Sequence, residues 1–306
     1  MKLPDQWEFF YDDICSRVKL LSASGIWPFH QDSLTAWLGN FSKDEHKYIA
    51  AHILDRLIFR TEKMTESAYQ TFFSTHFRAY VKKNLSGSVG SLDVWLRQLR
   101  ERTDYFTKEI VICSVTKAGE HGESGSHMLR ILSGGILNER YIFPVDTKPL
   151  SDLKGKIILI VDDFVGSGSQ FFSFAEACGL REAAEKNKII YAPSMAYCEG
   201  VVSINEKKYG IDLYPLEVVS QKDRFFSHKA KANFRGDDIN TEKEVIECYA
   251  EMRHLNRNFG RGAWFGRDKT SLCVGFQWGC PNQSLGVMWY DGGDDWHKLV
   301  RRRGGQ

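Results

Sequence analysis

Two adjacent carboxylates, followed by a turn rich in glycine and serine, form the segment of this sequence best suited to chemistry. Asp162 and Asp163 directly follow the apolar run Ile157–Val161, which predicts a buried strand. Neighbouring side chains at the end of a strand project to both sides of the turn, and carboxylates accept hydrogen bonds from paired sugar hydroxyls. The acid pair therefore predicts a sugar-binding position at the carboxyl end of this strand.

The turn after the acid pair has the composition of a phosphate site. Its glycines allow close approach of the backbone to a ligand. The N–H groups of residues 167–170 would begin the next helix, where phosphates bind. The residues assigned to the phosphate are Val165, Gly166, Ser167, Gly168 and Ser169. Acid pair and phosphate cradle together indicate a site for a ribose 5-phosphate group, with an ordinary strand–turn–helix connection as the alternative.

Two better-known phosphate motifs do not fit this turn. A P-loop requires a lysine after its last glycine, and Ser169 and Gln170 stand there instead. The dinucleotide-binding turn requires a third glycine, which is missing. The turn therefore belongs to another class of phosphate site.

The elements around this segment predict an α/β fold. Short β-branched runs alternate with helical patterns, one of them at Gln170–Glu185, which implies βαβ units and a mostly parallel sheet. Ligands are expected at the carboxyl ends of such strands. The predicted strands are Glu109–Ser114, Arg140–Phe143, Ile157–Val161, Lys188–Ala196, Asp212–Val219, Leu272–Trp278 and Leu285–Tyr290.

The first part of the chain has a different periodicity. Apolar residues recur at helical spacing from Leu3 to about Lys83, and Ser86–Ser91 has the composition of a flexible linker. These features predict two domains, a helical one at residues 1–88 and the sheet domain at residues 89–306.

Composition and charge exclude several classes of protein. The chain has 306 residues, 42% of them hydrophobic, and a net charge of +2, which does not favour nucleic-acid or membrane binding by bulk charge. Its seven cysteines are scattered without a CxxC pair, so no structural metal site is expected and a reducing cytoplasm is the predicted location. Neither a signal peptide nor an apolar run long enough to span a membrane is recognisable.

The segment from Lys156 to Gln170 resembles the phosphoribosyl pyrophosphate (PRPP) signature of type I phosphoribosyltransferases. In that signature, apolar residues precede two acids and a small-residue turn. The resemblance implies that Asp162 and Asp163 act on the ribose of PRPP and that a second loop holds pyrophosphate. In that loop it implies Lys117 as a catalytic cation, with Mg²⁺ arriving on the substrate. The implied pyrophosphate loop is Gly122, Glu123, Ser124 and Gly125.

The second loop leaves an alternative open, because Glu120 and Glu123 would repel a pyrophosphate unless a metal ion intervenes. A solvated glycine-rich turn explains the same residues. The ribose phosphate part of the substrate is therefore better supported than the pyrophosphate part.

The C-terminal stretch Gly275–Trp289 narrows the resemblance. It resembles the end of phosphoribosyltransferase-like effectors of bacterial conflict systems, the PRTase-CE type, although Cys280, Gln283 and Gly286 depart from their pattern. Those effectors carry an N-terminal winged-helix-like helical unit, resembled here by Trp27, Phe29, Trp37, Asn40 and Phe41. The resemblance implies antiphage defence by a toxin that operon partners, such as a retron reverse transcriptase or an ATPase, hold inactive.

Three functions remain open from the sequence. The first is an enzyme that acts on PRPP or a related ribose 5-phosphate nucleotide, with a base, a nucleotide or an RNA as acceptor, or that breaks a nucleotide down. The second is a catalytically inactive regulator that binds a ribose phosphate or a nucleotide. The third is a nucleic-acid or protein adaptor that acts through its helical N-terminal unit.

Overall fold

The computed structural model describes residues 1–28, 31–85, 89–101, 106–116, 123–226, 239–253, 261–291 and 296–302. The chain forms two compact units. The central unit is Lys63–Val219, and the terminal unit combines Met1–Glu62 with Ser220–Gln306. Each unit has its own hydrophobic core.

Both units contain strands and helices. The described strands are β1 (Ile58–Arg60), β2 (Ile110–Ser114), β3 (Ile157–Val165), β4 (Lys188–Tyr197), β5 (Asp212–Leu213), β6 (Glu217–Val219) and β7 (Val274–Phe276). The described α-helices are α1 (Trp7–Ala23), α2 (Gln31–Gly39), α3 (Asp44–Asp55), α4 (Glu62–Phe72), α5 (Arg78–Asn84), α6 (Leu92–Glu101), α7 (Glu123–Ser133), α8 (Ser169–Ala177), α9 (Leu180–Lys186), α10 (Cys198–Glu206), α11 (Glu242–Met252), α12 (Arg261–Trp264) and α13 (Gly286–Trp289).

The central unit is built on a parallel sheet with the strand order β2-β3-β4-β5, and β6 also pairs with β4. The pairing places Ser114 of β2 beside Val161, and Asp162 beside Pro193 of β4. Every residue of β3 is buried, as expected for a parallel strand that is covered on both faces. The prediction of a mostly parallel sheet is confirmed.

A continuous helical segment packs aromatic side chains into the central unit. It consists of α4, a π-helical turn at Phe73–Phe77, and α5. The buried rings of this segment are Tyr69, Phe72, Phe73 and Phe77. The indole Nε1 of Trp95 donates a hydrogen bond to the carbonyl oxygen of Phe73 at 2.8 Å, which ties α6 to the same segment.

The terminal unit joins the two ends of the chain. Strand β1 pairs in parallel with β7, where Ile58 lies beside Val274. The indole Nε1 of Trp37 on α2 donates to the carbonyl oxygen of Val287 at 2.8 Å, and both groups are buried. The C-terminal segment therefore completes the core of the N-terminal helices.

The division into units differs from the predicted domain boundary at residue 88. Helices α4 and α5 lie before that boundary but belong to the central unit, and Ser220–Gln306 lies after it but belongs to the terminal unit. Linear composition could not show this, because the pairing of β1 with β7 joins segments more than 200 residues apart in sequence. Residues 86–88 of the predicted linker lie outside the described residues.

Four predicted elements differ in detail. The predicted strand Asp212–Val219 is two short strands, β5 and β6. The predicted helix Gln170–Glu185 is two helices, because Gly179 has φ of +66° and ends the helical path between them. The predicted strand Arg140–Phe143 is a 3₁₀ turn at Glu139–Tyr141, and Leu285–Tyr290 contains α13 instead of a strand. Short apolar runs do not distinguish a strand from a buried helical turn.

None of the helices in the described ranges combines the length and the apolar character that crossing a bilayer would demand.

Candidate functional site

The acid pair lies inside β3, because the strand continues past the predicted end at Val161 to Val165. Successive strand residues point to opposite faces, so the side chains of Asp162 and Asp163 diverge, as the sequence predicted. Both are buried, however, with relative exposures of 3% and 0%. A sugar can reach these carboxylates only after the groups that cover them move aside.

Both oxygens of the Asp162 carboxylate accept hydrogen bonds from the protein. Oδ1 accepts from the backbone N–H of Asp163 at 2.9 Å, and Oδ2 accepts from the hydroxyl of Tyr191 on β4 at 2.9 Å. The ring of Tyr191 is itself stacked on the ring of Phe171 of α8, and the two ring centroids are 4.3 Å apart. The orientation of Asp162 is therefore fixed from the neighbouring strand and from the helix that follows the turn.

A second tyrosine fixes the backbone at the same level of the sheet. The hydroxyl of Tyr69 on α4 lies 2.7 Å from the carbonyl oxygen of Ala192 and 3.2 Å from that of Asp162. Burial, followed by the nearby charges of Asp162 and Asp163, raises the pKa of Tyr69 well above its usual value. Burial and the Asp162 charge raise the pKa of Tyr191 in the same way, so both hydroxyls stay protonated donors at neutral pH.

The Asp163 carboxylate is oriented by the backbone that follows it. Its Oδ1 accepts a hydrogen bond from the N–H of Phe164 at 2.7 Å. A carboxylate has about four lone-pair positions, so one such bond orients the group without using all of its acceptor positions.

The turn after β3 presents unused backbone donors at the start of a helix. Gly168 immediately precedes α8 and has φ of +85°, a left-handed conformation that favours glycine. Among the described residues, no group accepts a hydrogen bond from the amides of residues 167–170. Four consecutive free N–H groups at the positive end of a nine-residue helix form an anion cradle. The backbone of this turn is compatible with an anion, and its assignment to phosphate stays a prediction.

The serine hydroxyls of the turn lie beside these amides. Ser167 and Ser169 are half-buried, and the hydroxyl of Ser167 donates to that of Ser169 at 3.3 Å. Gly166 and Gly168 are buried, and Val165 ends the strand before them. The serines can turn toward an anion without disturbing the glycine backbone.

Gly200 in the first turn of α10 supports the phosphate turn, a contact that the sequence analysis missed. A Cβ atom at this position would lie 2.0 Å from the carbonyl oxygen of Gly166, so only glycine lets the helix approach so closely. The local signal in the sequence was a glycine three residues after β4, the strand that neighbours the acid pair.

The predicted pyrophosphate loop is described only in part. Lys117 and Gly122 lie outside the described residues, and Glu123 and Ser124 begin α7. A Cβ atom on Gly125 would lie 2.5 Å from the carbonyl oxygen of Val115, so this glycine packs α7 against the end of β2. The assignment of this loop to pyrophosphate stays a prediction.

The ends of β2 and β3 lie side by side. The backbone N–H of Val115 donates to the carbonyl oxygen of Val161 at 3.1 Å, one residue before the acid pair. Loops that leave two neighbouring parallel strands at this edge can contact one ligand. The position of Gly125 at the end of β2 is therefore compatible with a ligand that also contacts the acid pair.

The protein residues fit a metal ion that arrives on the substrate. No cluster of three potential metal ligands exists within the described ranges. Mg²⁺ bound through substrate phosphates needs only one or two carboxylates from the protein. Asp162 and Asp163 of β3 are two carboxylates at this edge of the sheet.

A parallel sheet flanked by helices, with an acid pair and a phosphate-type turn at the end of a central strand, is the arrangement of a type I phosphoribosyltransferase-like fold. The sequence comparison agrees. The chain belongs to the PRTase-CE family, whose match covers residues 34–302. This match confirms the family resemblance of the sequence.

Other comparisons are less informative. Comparison with curated proteins finds no match. Among solved structures, the AQ2163 protein from Aquifex aeolicus is similar at 20% identity, with a TM-score of 0.26, over 37% of this chain. The chain spans 56% of the length of that protein.

Proposed function

We propose that this protein acts on PRPP or a related ribose 5-phosphate nucleotide at the acid pair and the turn after β3. The observation that carries the proposal is the row of free amides at residues 167–170, directly after two carboxylates. Membership of the PRTase-CE family supports the same class of substrate.

Phosphoribosyl transfer breaks the bond between C1 of the ribose and the pyrophosphate oxygen, and the acceptor forms a new bond to C1. The transition state resembles an oxocarbenium ion, so catalysis needs positioning and charge stabilisation more than a protein nucleophile. Asp162 and Asp163 would accept hydrogen bonds from the ribose hydroxyls. The amides of residues 167–170, with Ser167 and Ser169, would hold the 5-phosphate.

The leaving pyrophosphate is assigned to the second loop. Lys117 would supply a cation, and Gly122, Glu123, Ser124 and Gly125 would bind the phosphate oxygens together with substrate-borne Mg²⁺. A base, a nucleotide or an RNA would serve as acceptor. Water as acceptor would instead break a nucleotide down.

The biological role that we propose follows from the family resemblance. It is antiphage defence by a toxin that partner proteins from the same operon keep inactive until infection.

The buried acid pair favours a second candidate, a ribose phosphate-binding regulator without turnover. Both Asp162 oxygens accept hydrogen bonds from the protein, and Asp163 has no exposed surface. A regulator needs only to bind and release its ligand, whereas an enzyme must also uncover the carboxylates in each catalytic cycle. Binding of Mg²⁺–PRPP without product from any acceptor pool would select the regulator.

The double variant Asp162→Asn with Asp163→Asn tests the enzyme. We expect at least about a tenfold loss of affinity for Mg²⁺–PRPP by calorimetry, because two charged hydrogen-bond acceptors are removed. Product formation by mass spectrometry and toxicity on expression should be abolished. Asp152→Asn, an exposed acid of the same unit, is the matched control and should change none of these.

A folded double variant with unchanged toxicity would remove the enzyme from consideration. Thermal unfolding of both variants shows whether the fold is kept, since the single carbonyl oxygen of Asn at position 162 can replace only one of the two acceptor oxygens of Asp162.

A further inference from the structure

A cavity of about 390 Å³ lies in the terminal unit, lined by residues of α3 and α11 together with Met1 and Lys43. Four glutamates line it, Glu45 in the first turn of α3 and Glu244, Glu247 and Glu251 on α11. The α11 residues are spaced three and four apart, so they share one face of the helix. These glutamates together with His46 define what we call the acidic pocket.

His46 is the buried polar group of the acidic pocket. It is 3% exposed, and neither Nδ1 nor Nε2 has a hydrogen-bond partner among the described residues. A buried polar group without a hydrogen-bond partner destabilises the folded state by about 1–3 kcal/mol. Because His46 lines the cavity, a ligand in the cavity could supply the missing partner. Burial and the charge of Lys43 lower the pKa of His46, so at neutral pH one ring nitrogen offers a lone pair.

The carboxylates of the pocket differ in how far they are neutralised. Glu251 pairs with Lys43 at 3.5 Å, and Glu247 makes a long, exposed pair with Lys243 at 3.8 Å. No ion pair or hydrogen bond to the Glu45 carboxylate occurs within the described part of the chain. Negative charge is therefore left over at Glu45 and Glu247.

Glu244 is held by other groups. Its Oε2 accepts hydrogen bonds from the N–H and the hydroxyl of Thr241, both at 2.8 Å. These bonds, and to a smaller extent the charge of the N-terminal amine of Met1, lower the pKa of Glu244. Met1 also lines the cavity. The uncompensated negative charge of the pocket therefore lies at Glu45 and Glu247.

The groups of the pocket do not suit a metal ion. Burial raises the pKa of the Cys248 thiol, which also lines the cavity, to about 11. That thiol stays protonated at neutral pH, whereas metals bind the thiolate. No three potential ligands in the described ranges are arranged to hold a metal. A cation that donates hydrogen bonds fits these acceptors better than one that needs a closed ligand set.

We propose that the acidic pocket binds a small organic cation with several N–H donors, an alkyl diamine or a guanidine. Its N–H groups donate to His46 and to the carboxylates of Glu45 and Glu247. The cavity lies within the range of about 300–1,000 Å³ that small-molecule sites occupy. The site is independent of the ribose phosphate site of the central unit.

Calorimetry on the full chain with 1,4-diaminobutane and with agmatine tests the proposal. We expect saturable binding of one molecule per chain. The double variant Glu45→Gln with Glu247→Gln should lower the affinity at least about tenfold, because two charged acceptors are lost. The matched control is Asp44→Asn, an exposed neighbour that pairs with Lys47 and does not line the cavity.

A second variant, His46→Phe, removes both ring nitrogens and should abolish binding while thermal unfolding shows that the chain remains folded. No saturable heat with either amine would overturn the proposal, as would equal affinity in the double Gln variant. Stoichiometric Zn²⁺ binding that the double variant loses would also contradict it and assign a metal site instead.

Discussion

At the scale of single residues, the side chain of Asp162 is buried and its orientation is fixed by hydrogen bonds to both carboxylate oxygens. Tyr191 and the amide of Asp163 occupy its two oxygens, and Tyr69 holds the backbone on either side of the strand pair. A carboxylate that is already aligned loses little entropy when it accepts a sugar hydroxyl. The same bonds make Asp162 a structural residue before any ligand arrives.

Tyr191→Phe should therefore destabilise the protein. The substitution keeps the ring stacked on Phe171 but removes the hydrogen bond that the hydroxyl of Tyr191 donates to the buried Oδ2 of Asp162, which costs about 1–3 kcal/mol of unfolding free energy. Urea denaturation measures the loss. Tyr214→Phe, a partly exposed tyrosine of the same unit, is the control and should change stability by less than about 0.5 kcal/mol. Equal stability of Tyr191→Phe and the natural chain would show that this bond is unimportant.

At the scale of elements, the phosphate turn depends on how closely two helices approach it. Helix α8 begins directly after Gly168, and α10 packs its Gly200 against the carbonyl oxygen of Gly166. The turn thus keeps its shape through contacts made outside it. Its amides are left free because the surrounding elements leave no acceptor in front of them within the described residues.

Gly200→Ala should disturb this arrangement. The new methyl group would lie 2.0 Å from the Gly166 oxygen, so α10 or the turn must move, at a cost of about 1–3 kcal/mol. We expect weaker binding of ribose 5-phosphate along with lower stability. Gly39→Ala is the matched control, since nothing lies within 4 Å of the corresponding position in α2. Unchanged affinity for ribose 5-phosphate in Gly200→Ala would show that the shape of the turn does not depend on the close approach of α10.

The sequence predicted the strand, the acid pair and the glycine turn because each leaves a local pattern. A buried parallel strand is continuously apolar, and the start of α8 follows its glycine. The partners of Asp162 could not be predicted in this way. Tyr69 and Tyr191 lie far from it in sequence, and their roles depend on sheet register and helix packing that no local pattern encodes.

At the scale of the whole molecule, the two compact units differ in how many segments of the chain they contain. The central unit is one continuous segment, whereas the terminal unit needs both ends of the chain. The predicted boundary at residue 88 followed a local linker composition. The units follow the long-range contacts instead, with β1 beside β7 and the rings of α4 buried in the central unit.

Fragments of the central unit test this division. A fragment of residues 63–219 should unfold in one cooperative transition, because it contains its own core and has a typical domain size. A fragment of residues 89–219 lacks Tyr69, Phe72, Phe73 and Phe77 and should lose its near-ultraviolet circular dichroism. Both fragments end at the same residue, so the comparison isolates α4 and α5. Cooperative unfolding of the shorter fragment would support the boundary at residue 88.

The most direct test of the ribose phosphate site is a crystal structure of the full chain with Mg²⁺ and PRPP or ribose 5-phosphate. We predict the 5-phosphate within hydrogen-bond distance of the amides of residues 167–170, and the ribose hydroxyls beside the carboxylates of Asp162 and Asp163. A ligand bound elsewhere, or an empty turn whose amides are covered by packed side chains, would contradict the central claim.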